Sequence, residues 1–190
     1  MESYREDYIQ KAESFLEERF KENPGFSFGD WEIMYDHSIL VKNYSIKISE
    51  EISRDDYSKT VLVLGALLHD IGKTYQADEE KLRNKHDELA YEVSRDFLKN
   101  LEMEDSQENK LNSLLKGKSD FLEAQIIEDA DIVAFFADKK LMKAFKEWAL
   151  SKDMPEECER KLNKIEQLKF EPSKQLALEY YKEATEILEI

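Results

Sequence analysis

The chain has 190 residues, of which 41% are apolar and 11% aromatic, so it can bury a sizeable core and lacks the composition of a disordered protein. Only five glycines and three prolines occur, too few for the frequent turns of a β-sandwich or β-barrel. With 28 basic and 43 acidic residues the formal net charge is −15, which argues against electrostatic binding to a nucleic acid polymer. The single cysteine, Cys158, excludes an internal disulfide and is typical of a reducing compartment.

The sequence has neither the pattern of a signal peptide nor an apolar run long enough to cross a membrane. The first ten residues are polar and acidic from the second residue onward, which is not the pattern of a signal peptide. The longest apolar run, 61–68, is far shorter than the roughly 20 residues that cross a bilayer. We therefore predict a cytoplasmic protein with no membrane partner.

Apolar residues recur with helical spacing almost throughout the chain. In chain order, the first predicted helix covers 8–16 and the second begins near Asp30. The next two include 61–68 and 89–98, and two more begin at Asp105 and Asp120. A seventh covers 141–148, and the last two begin near Pro155 and Pro172. Asp105 and Asp120 each precede a glutamate by three residues, as in a capping box. No linker divides the chain, so we expect one all-α domain over 1–190 with about eight to ten helices.

The run at 61–68 is apolar on all sides, as in a fully buried central helix. Arg54-Asp55-Asp56 would supply its N-cap, and Gly72 its C-terminal stop. A buried strand is the alternative, because several of these residues favour β-structure. Helix is preferred because the elements on both sides are helical.

The only three histidines, His37, His69 and His86, each adjoin an aspartate. His69 and Asp70 stand where the buried run ends, and desolvating a charge without a partner costs several kcal/mol. A metal ion is one such partner, and imidazole with carboxylate suits borderline divalent metals such as Mn, Fe, Co, Ni or Zn. The alternative is a locally hydrogen-bonded pair at a helix end.

Two further acids, Asp129 and Asp131, interrupt an otherwise apolar helix. Positions i and i+2 differ by roughly 200° around a helix, so both cannot point at one ion. A core-facing carboxylate at Asp131 needs a reason, since apolar residues follow it directly.

The order His37, His69-Asp70, Asp131, with Leu-His-Asp-Ile-Gly-Lys at 68–73, resembles the HD-domain superfamily of metal-dependent phosphohydrolases. The resemblance covers about 36–136, and the expected motif-bearing core is about 30–137, with the N-terminal and C-terminal helices packed on it. It implies an all-α bundle whose metal ligands are His37, His69, Asp70 and Asp131. Asp131 is chosen over Asp129 because the family aspartate usually follows an alanine. The resemblance thus implies that Asp129 lies at the surface or supports the site from outside.

The resemblance implies one divalent ion, with Mg added to the metals above. His86 matches a further family histidine and is the candidate extra ligand for a second ion. Members with two metals usually carry another histidine before the final aspartate, and residues 87–128 contain none. This departure argues against a binuclear site.

The activity that the resemblance implies is phosphoester hydrolysis of a small phosphorylated substrate such as a nucleotide, with mono- and diesters both open. Asp70 would also steer the attacking water, and Lys73 would neutralise charge on the phosphoryl group. The alternative is an inactive binding or scaffold module with a structural metal. Four aromatic residues are suspected of flanking the pocket: Phe26, Trp31, Tyr35 and Tyr75.

Overall fold

A computed structural model describes residues 5–24, 28, 30–52, 54, 56–76, 79–117 and 120–189, apart from the side chains at 79, 83, 84 and 87. These residues contain no strand, which confirms the all-α prediction. Two 3-10 helices cover Ile71–Thr74 and Asn163–Gln167. The α-helices are α1 (Glu6–Glu22), α2 (Trp31–Glu51), α3 (Lys59–Leu68), α4 (Glu79–Lys99), α5 (Asp105–Leu115), α6 (Leu122–Ala137), α7 (Lys139–Ser151), α8 (Glu156–Leu162) and α9 (Glu171–Leu188).

The central apolar run is helical, as preferred over the strand alternative. Every residue of α3 from Thr60 to Leu68 is buried, because α1, α2, α5 and α6 all pack against this helix. Its N-cap is Ser58, whose hydroxyl accepts a hydrogen bond from the Val61 amide. The predicted cap at 54–56 is therefore wrong by a few residues, and Asp55 itself lies outside the described residues.

The helices that surround α3 also pack against one another. Helix α2 packs along α6, and α6 also packs against α9. Apolar side chains of α1, α2, α3, α6 and α9 join one continuous hydrophobic cluster. The contact between α2 and α6, beside the end of α3, is where the site described below is built.

Glu123 does not form the predicted capping box with Asp120. The N-cap of α6 is Phe121, with no side-chain cap. The fully buried Glu123 carboxylate instead accepts a hydrogen bond from the Ser58 amide at 2.6 Å and contacts the Lys110 ammonium at 2.7 Å. This carboxylate connects the start of α3 to α5 and α6.

Gly72 is required for close packing and is not a helix stop. Helix α3 ends at Leu68, and Gly72 lies inside the 3-10 helix that packs on α4. A Cβ at Gly72 would lie 1.9 Å from the backbone oxygen of His86 and 2.7 Å from the Ala90 nitrogen. The backbone of α4 departs from helical geometry at Lys85 (φ −136°, ψ 15°), directly before this contact.

Among the helices formed by the described residues, none combines the length and the low charge that a membrane crossing requires.

We predict that Gly72→Ala lowers the free energy of unfolding by about 3 kcal/mol, because rigid backbone surrounds the added methyl group and one segment must move. Gly65→Ala is the matched control at a second buried glycine. There the methyl group meets only the ends of the Ile127 and Leu114 side chains, at 2.9–3.1 Å. Its effect should stay within about 1 kcal/mol, since alanine also favours the helix. Urea denaturation measures both, and equal losses would contradict the explanation.

Candidate metal centre

His69 is oriented by the last turn of α3. Its Nδ1 lies 2.8 Å from the Ala66 carbonyl oxygen, which can only accept, so Nδ1 carries the proton and donates. The other ring nitrogen, Nε2, is buried and has no hydrogen-bond partner. It faces the Asp70 Oδ2 at 3.4 Å and the Asp131 Oδ1 at 3.9 Å. With Nδ1 held by the Ala66 carbonyl, Nε2 is the ring atom that can bind a metal ion or, without one, a proton.

His37 and Asp131 come together because α2 packs along α6. The His37 side chain is 3% exposed, and its Nε2 lies 2.9 Å from the Asp131 Oδ1. The rings of His37 and His69 meet edge to face, with their centroids 5.9 Å apart. Residues about 94 positions apart in the sequence thereby reach one point beside the end of α3.

Asp70 is buried between two cationic or imidazole groups. The Lys73 ammonium donates to its Oδ2 at 2.6 Å, and the His86 Nε2 lies 3.5 Å from its Oδ1. The His86 Nδ1 lies 3.2 Å from the Leu82 carbonyl oxygen, so His86 is oriented in the same way as His69. Asp70 is therefore reached from both sides by groups that stabilise its charge.

These side chains fit a divalent ion. His37, His69 and Asp70 each offer one ligand atom, and the three atoms lie within 4.8 Å of one another. Asp131 adds a carboxylate oxygen near both histidines. Nitrogen and carboxylate oxygen together suit Mn, Fe, Co, Ni or Zn. The unpartnered Nε2 of His69 supports this fit, since buried polar atoms normally have a partner.

The charges in the cluster stabilise one another. Burial lowers the pKa of His69, but Asp70 and Asp131 outweigh it and raise that pKa to about 9. Burial raises the pKa of Asp70, but Lys73 and His69 outweigh it and hold that pKa well below its ordinary value. For Asp131 the effect of burial is likewise exceeded, chiefly by His37, so its pKa is lowered. Without a metal, protonated His69 serves as the cation that these carboxylates require.

Two cavities adjoin the cluster. The first, of about 220 Å³, is lined by His37, Asp70 and Asp131. The second, of about 350 Å³, is lined by His69, Asp70 and Asp131. His86 and Lys164 also line both cavities. A ligand could therefore reach the buried side chains from either cavity.

The first cavity has an aromatic wall that the sequence did not indicate. Its aromatic lining residues are Phe28, Phe135, Phe145 and Trp148. Of the four aromatics suspected from sequence, Trp31, Tyr35 and Tyr75 line neither cavity, and Phe26 lies outside the described residues. Phe135 follows Asp131 by four residues, on the same face of α6, and this spacing is the signal that could have identified it.

Helix α8 and the 3-10 helix that follows it add a charged stripe to the first cavity. Glu157, Arg160, Lys161 and Lys164 lie at i, i+3, i+4 and i+7, and all four line it. Arg160 donates to Glu157 at 2.9 Å. Burial lowers the pKa of Lys161 to about 8, although Asp131 acts in the opposite direction. Sequence reasoning missed these residues because a charged helical stripe is usually solvated.

The prediction that Asp129 lies at the surface or supports the metal site is wrong. Asp129 is buried and faces away from the cluster. Its carboxylate accepts hydrogen bonds from the backbone amides of Lys169 and Phe170, each at 3.0 Å. Asp129 thus anchors the segment that joins the Asn163–Gln167 helix to α9.

Comparison with known proteins agrees with this fold. Residues 34–135 match the HD domain family model. Because the match spans more than half of the chain, the chain belongs to the HD domain family, as the resemblance predicted. A crystal structure of an HD-superfamily hydrolase from Bacillus thuringiensis has a similar fold, with a TM-score of 0.69 and 17% identity over 97% of this chain and 94% of that chain. A comparison with curated proteins returned no match.

We predict that Asp129→Asn lowers the free energy of unfolding by about 2 kcal/mol, because an amide cannot replace both acceptor oxygens toward the two backbone amides. Glu128→Gln is the matched control. Glu128 reaches the same segment through the exposed Lys169 ammonium, and exposed ion pairs contribute about 0–1 kcal/mol. Thermal and urea unfolding of both variants compare them directly, and indistinguishable losses would contradict the anchoring role.

Proposed function

We propose that this chain is a metal-dependent hydrolase that cleaves a phosphoester bond in a small phosphorylated substrate, with His37, His69, Asp70 and Asp131 as the ligands of one divalent ion. The observation that carries the proposal is the buried, unpartnered Nε2 of His69 facing two carboxylates on the wall between two cavities. Membership of the HD domain family and the hydrolase named for the Bacillus thuringiensis structure support it.

When bound, a divalent ion would lower the pKa of a water ligand and polarise the phosphoryl oxygens. The chain's own residues hold that site in shape. Ala66 fixes the ring of His69, and Lys73 fixes the carboxylate of Asp70. The Asp70 carboxylate is the group that would orient the attacking water and receive its proton.

Lys73 has a second role in this proposal. An ammonium has three N–H donors, of which one is directed at Asp70. Lys73 also lines the first cavity, so its remaining donors are available to a phosphoryl oxygen there. The position supports charge neutralisation at the reacting group, with the phosphoester entering from the first cavity.

Several features bear on the number of metals. His86 has its Nε2 near Asp70 and would be the extra ligand of a second ion. The absence of histidine from residues 87–128 favours a single ion. The same absence supports the alternative function, a binding or scaffold module in which the ion is structural.

We predict that His69→Ala and Asp70→Ala each fold but lose stoichiometric metal and at least about 100-fold of activity toward 4-nitrophenyl phosphate. Asp36→Asn is the control, because Asp36 adjoins His37 in sequence yet is exposed and lines neither cavity. Elemental analysis and phosphate release are measured on the same samples. Unchanged turnover by both alanine variants would refute the assigned roles. Metal bound by the wild type with no turnover of any phosphoester would favour the scaffold module.

Metal binding should also release protons. Because the pKa of His69 is raised to about 9, its Nε2 is protonated at pH 7 and an ion must displace that proton. We therefore expect close to one proton released per ion at pH 7 and an apparent affinity that rises with pH up to about pH 9. Calorimetric titration with Mn²⁺ in two buffers of different ionisation enthalpy measures the release. A value of zero at pH 7 would show that His69 is already neutral.

A further inference from the structure

Lys161 lies outside the family match at 34–135, on α8, yet it lines the same cavity as the proposed metal ligands. Its ammonium packs over the ring of Phe135, 4.6 Å from the centroid, and over that of Phe145 at 5.6 Å. These contacts hold the charged end beside the cavity. Lys161 is therefore positioned by aromatic side chains of α6 and α7.

The ammonium of Lys161 has no anionic partner within the described part of the chain. No carboxylate lies within 4.0 Å of it, and no hydrogen bond is formed. The same holds for Lys164, three residues further along the stripe. Arg160 differs, because Glu157 neutralises it. Lys161 and Lys164 consequently line the cavity without an ion-pair partner among the described residues, and Asp131 and Asp70 act on Lys161 only from beyond ion-pair distance.

The nearby carboxylates are already engaged elsewhere. Asp70 accepts from Lys73 at 2.6 Å, and Asp131 lies 2.9 Å from the His37 Nε2. Two aromatic faces offset only part of the cost of desolvating an ammonium. An anionic group of a ligand in the cavity would supply the partner that this ammonium lacks.

We propose that Lys161 binds a second anionic group of the substrate, so that the preferred substrate is a small phosphate ester that carries a further phosphate or carboxylate. This inference rests on the proposed hydrolase function. Lys73 and the metal site receive the scissile phosphoryl group, and Lys161, which lines the same cavity, receives the second anion. Lys161 is accordingly a specificity-determining residue, and Lys164 adds to the positive potential.

A binding experiment tests the inference without turnover. The Mn²⁺-loaded protein is titrated with inorganic phosphate and with pyrophosphate. We expect pyrophosphate to bind more tightly than phosphate, and Lys161→Met to remove about 10- to 100-fold of that preference. Methionine keeps an apolar stem over the two rings and removes the charge. Lys182→Met, on an exposed part of α9, makes the same change of net charge and should leave the preference intact.

A kinetic experiment identifies the second anion. The probes are three phosphate monoesters, propyl phosphate, 3-(phosphonooxy)propionate and propane-1,3-diyl bisphosphate, which differ in the group at the far end. For Lys161→Met, kcat/KM should fall about 10- to 100-fold on the probe with the matching second anion and change little on propyl phosphate. The probe with the larger loss distinguishes carboxylate from phosphate. Thermal unfolding, with Lys161→Gln as a second variant, verifies that the fold is retained.

The outcomes separate the two proposals. If the wild type hydrolyses none of the probes yet shows the lysine-dependent preference for pyrophosphate, the hydrolase proposal fails and the anion site stands. If phosphate and pyrophosphate bind equally, or if Lys161→Met and Lys182→Met behave alike, the role of Lys161 is overturned. An equal loss on all three probes would likewise overturn it, because a merely structural lysine would give that result.

Discussion

The structure depends on carboxylates withdrawn from water where α2, α6 and the end of α3 meet. Asp70 is buried and Asp131 is partly buried, and an anion removed from water must be compensated by nearby positive charge or hydrogen-bond donors. His37, His69 and Lys73 supply that compensation, each from a fixed point on a packed element. The helix packing and the chemistry of the site are thus one constraint, since moving any of these helices would leave a charge unpaired.

Helix α6 also positions the C-terminal part of the chain. Asp129 and Asp131 point to opposite sides, as a separation of two residues requires. Asp131 faces the histidines, whereas Asp129 holds the backbone at Lys169 and Phe170. Because that segment follows α8 and the second 3-10 helix directly, its anchoring keeps the charged stripe beside the cavity. A helix outside the family match thereby contributes to the pocket.

Periodicity predicted the helices well because burial on one face imposes a regular spacing, and α3 is the clearest case. The motif order indicated which four side chains would converge. Sequence could not indicate Gly72 as a packing contact, since the backbone that excludes a side chain there belongs to α4. Nor could it give Asp129 its partners, which lie 40 residues away. The aromatic wall was missed for a different reason: an aromatic stripe in a helix has the same spacing whether it faces a core or a cavity.

The net charge of −15 and an anionic substrate are compatible because the two act over different distances. At physiological ionic strength the field of surface charges decays over about 8 Å, so the acidic exterior acts on anything that must cover much of the surface. A small molecule that enters the first cavity instead meets Lys73, Lys161 and Lys164 at contact distance, where the surrounding aromatic rings limit screening by water. The same charge distribution that disfavours a nucleic acid polymer therefore leaves the cavity open to a compact anion.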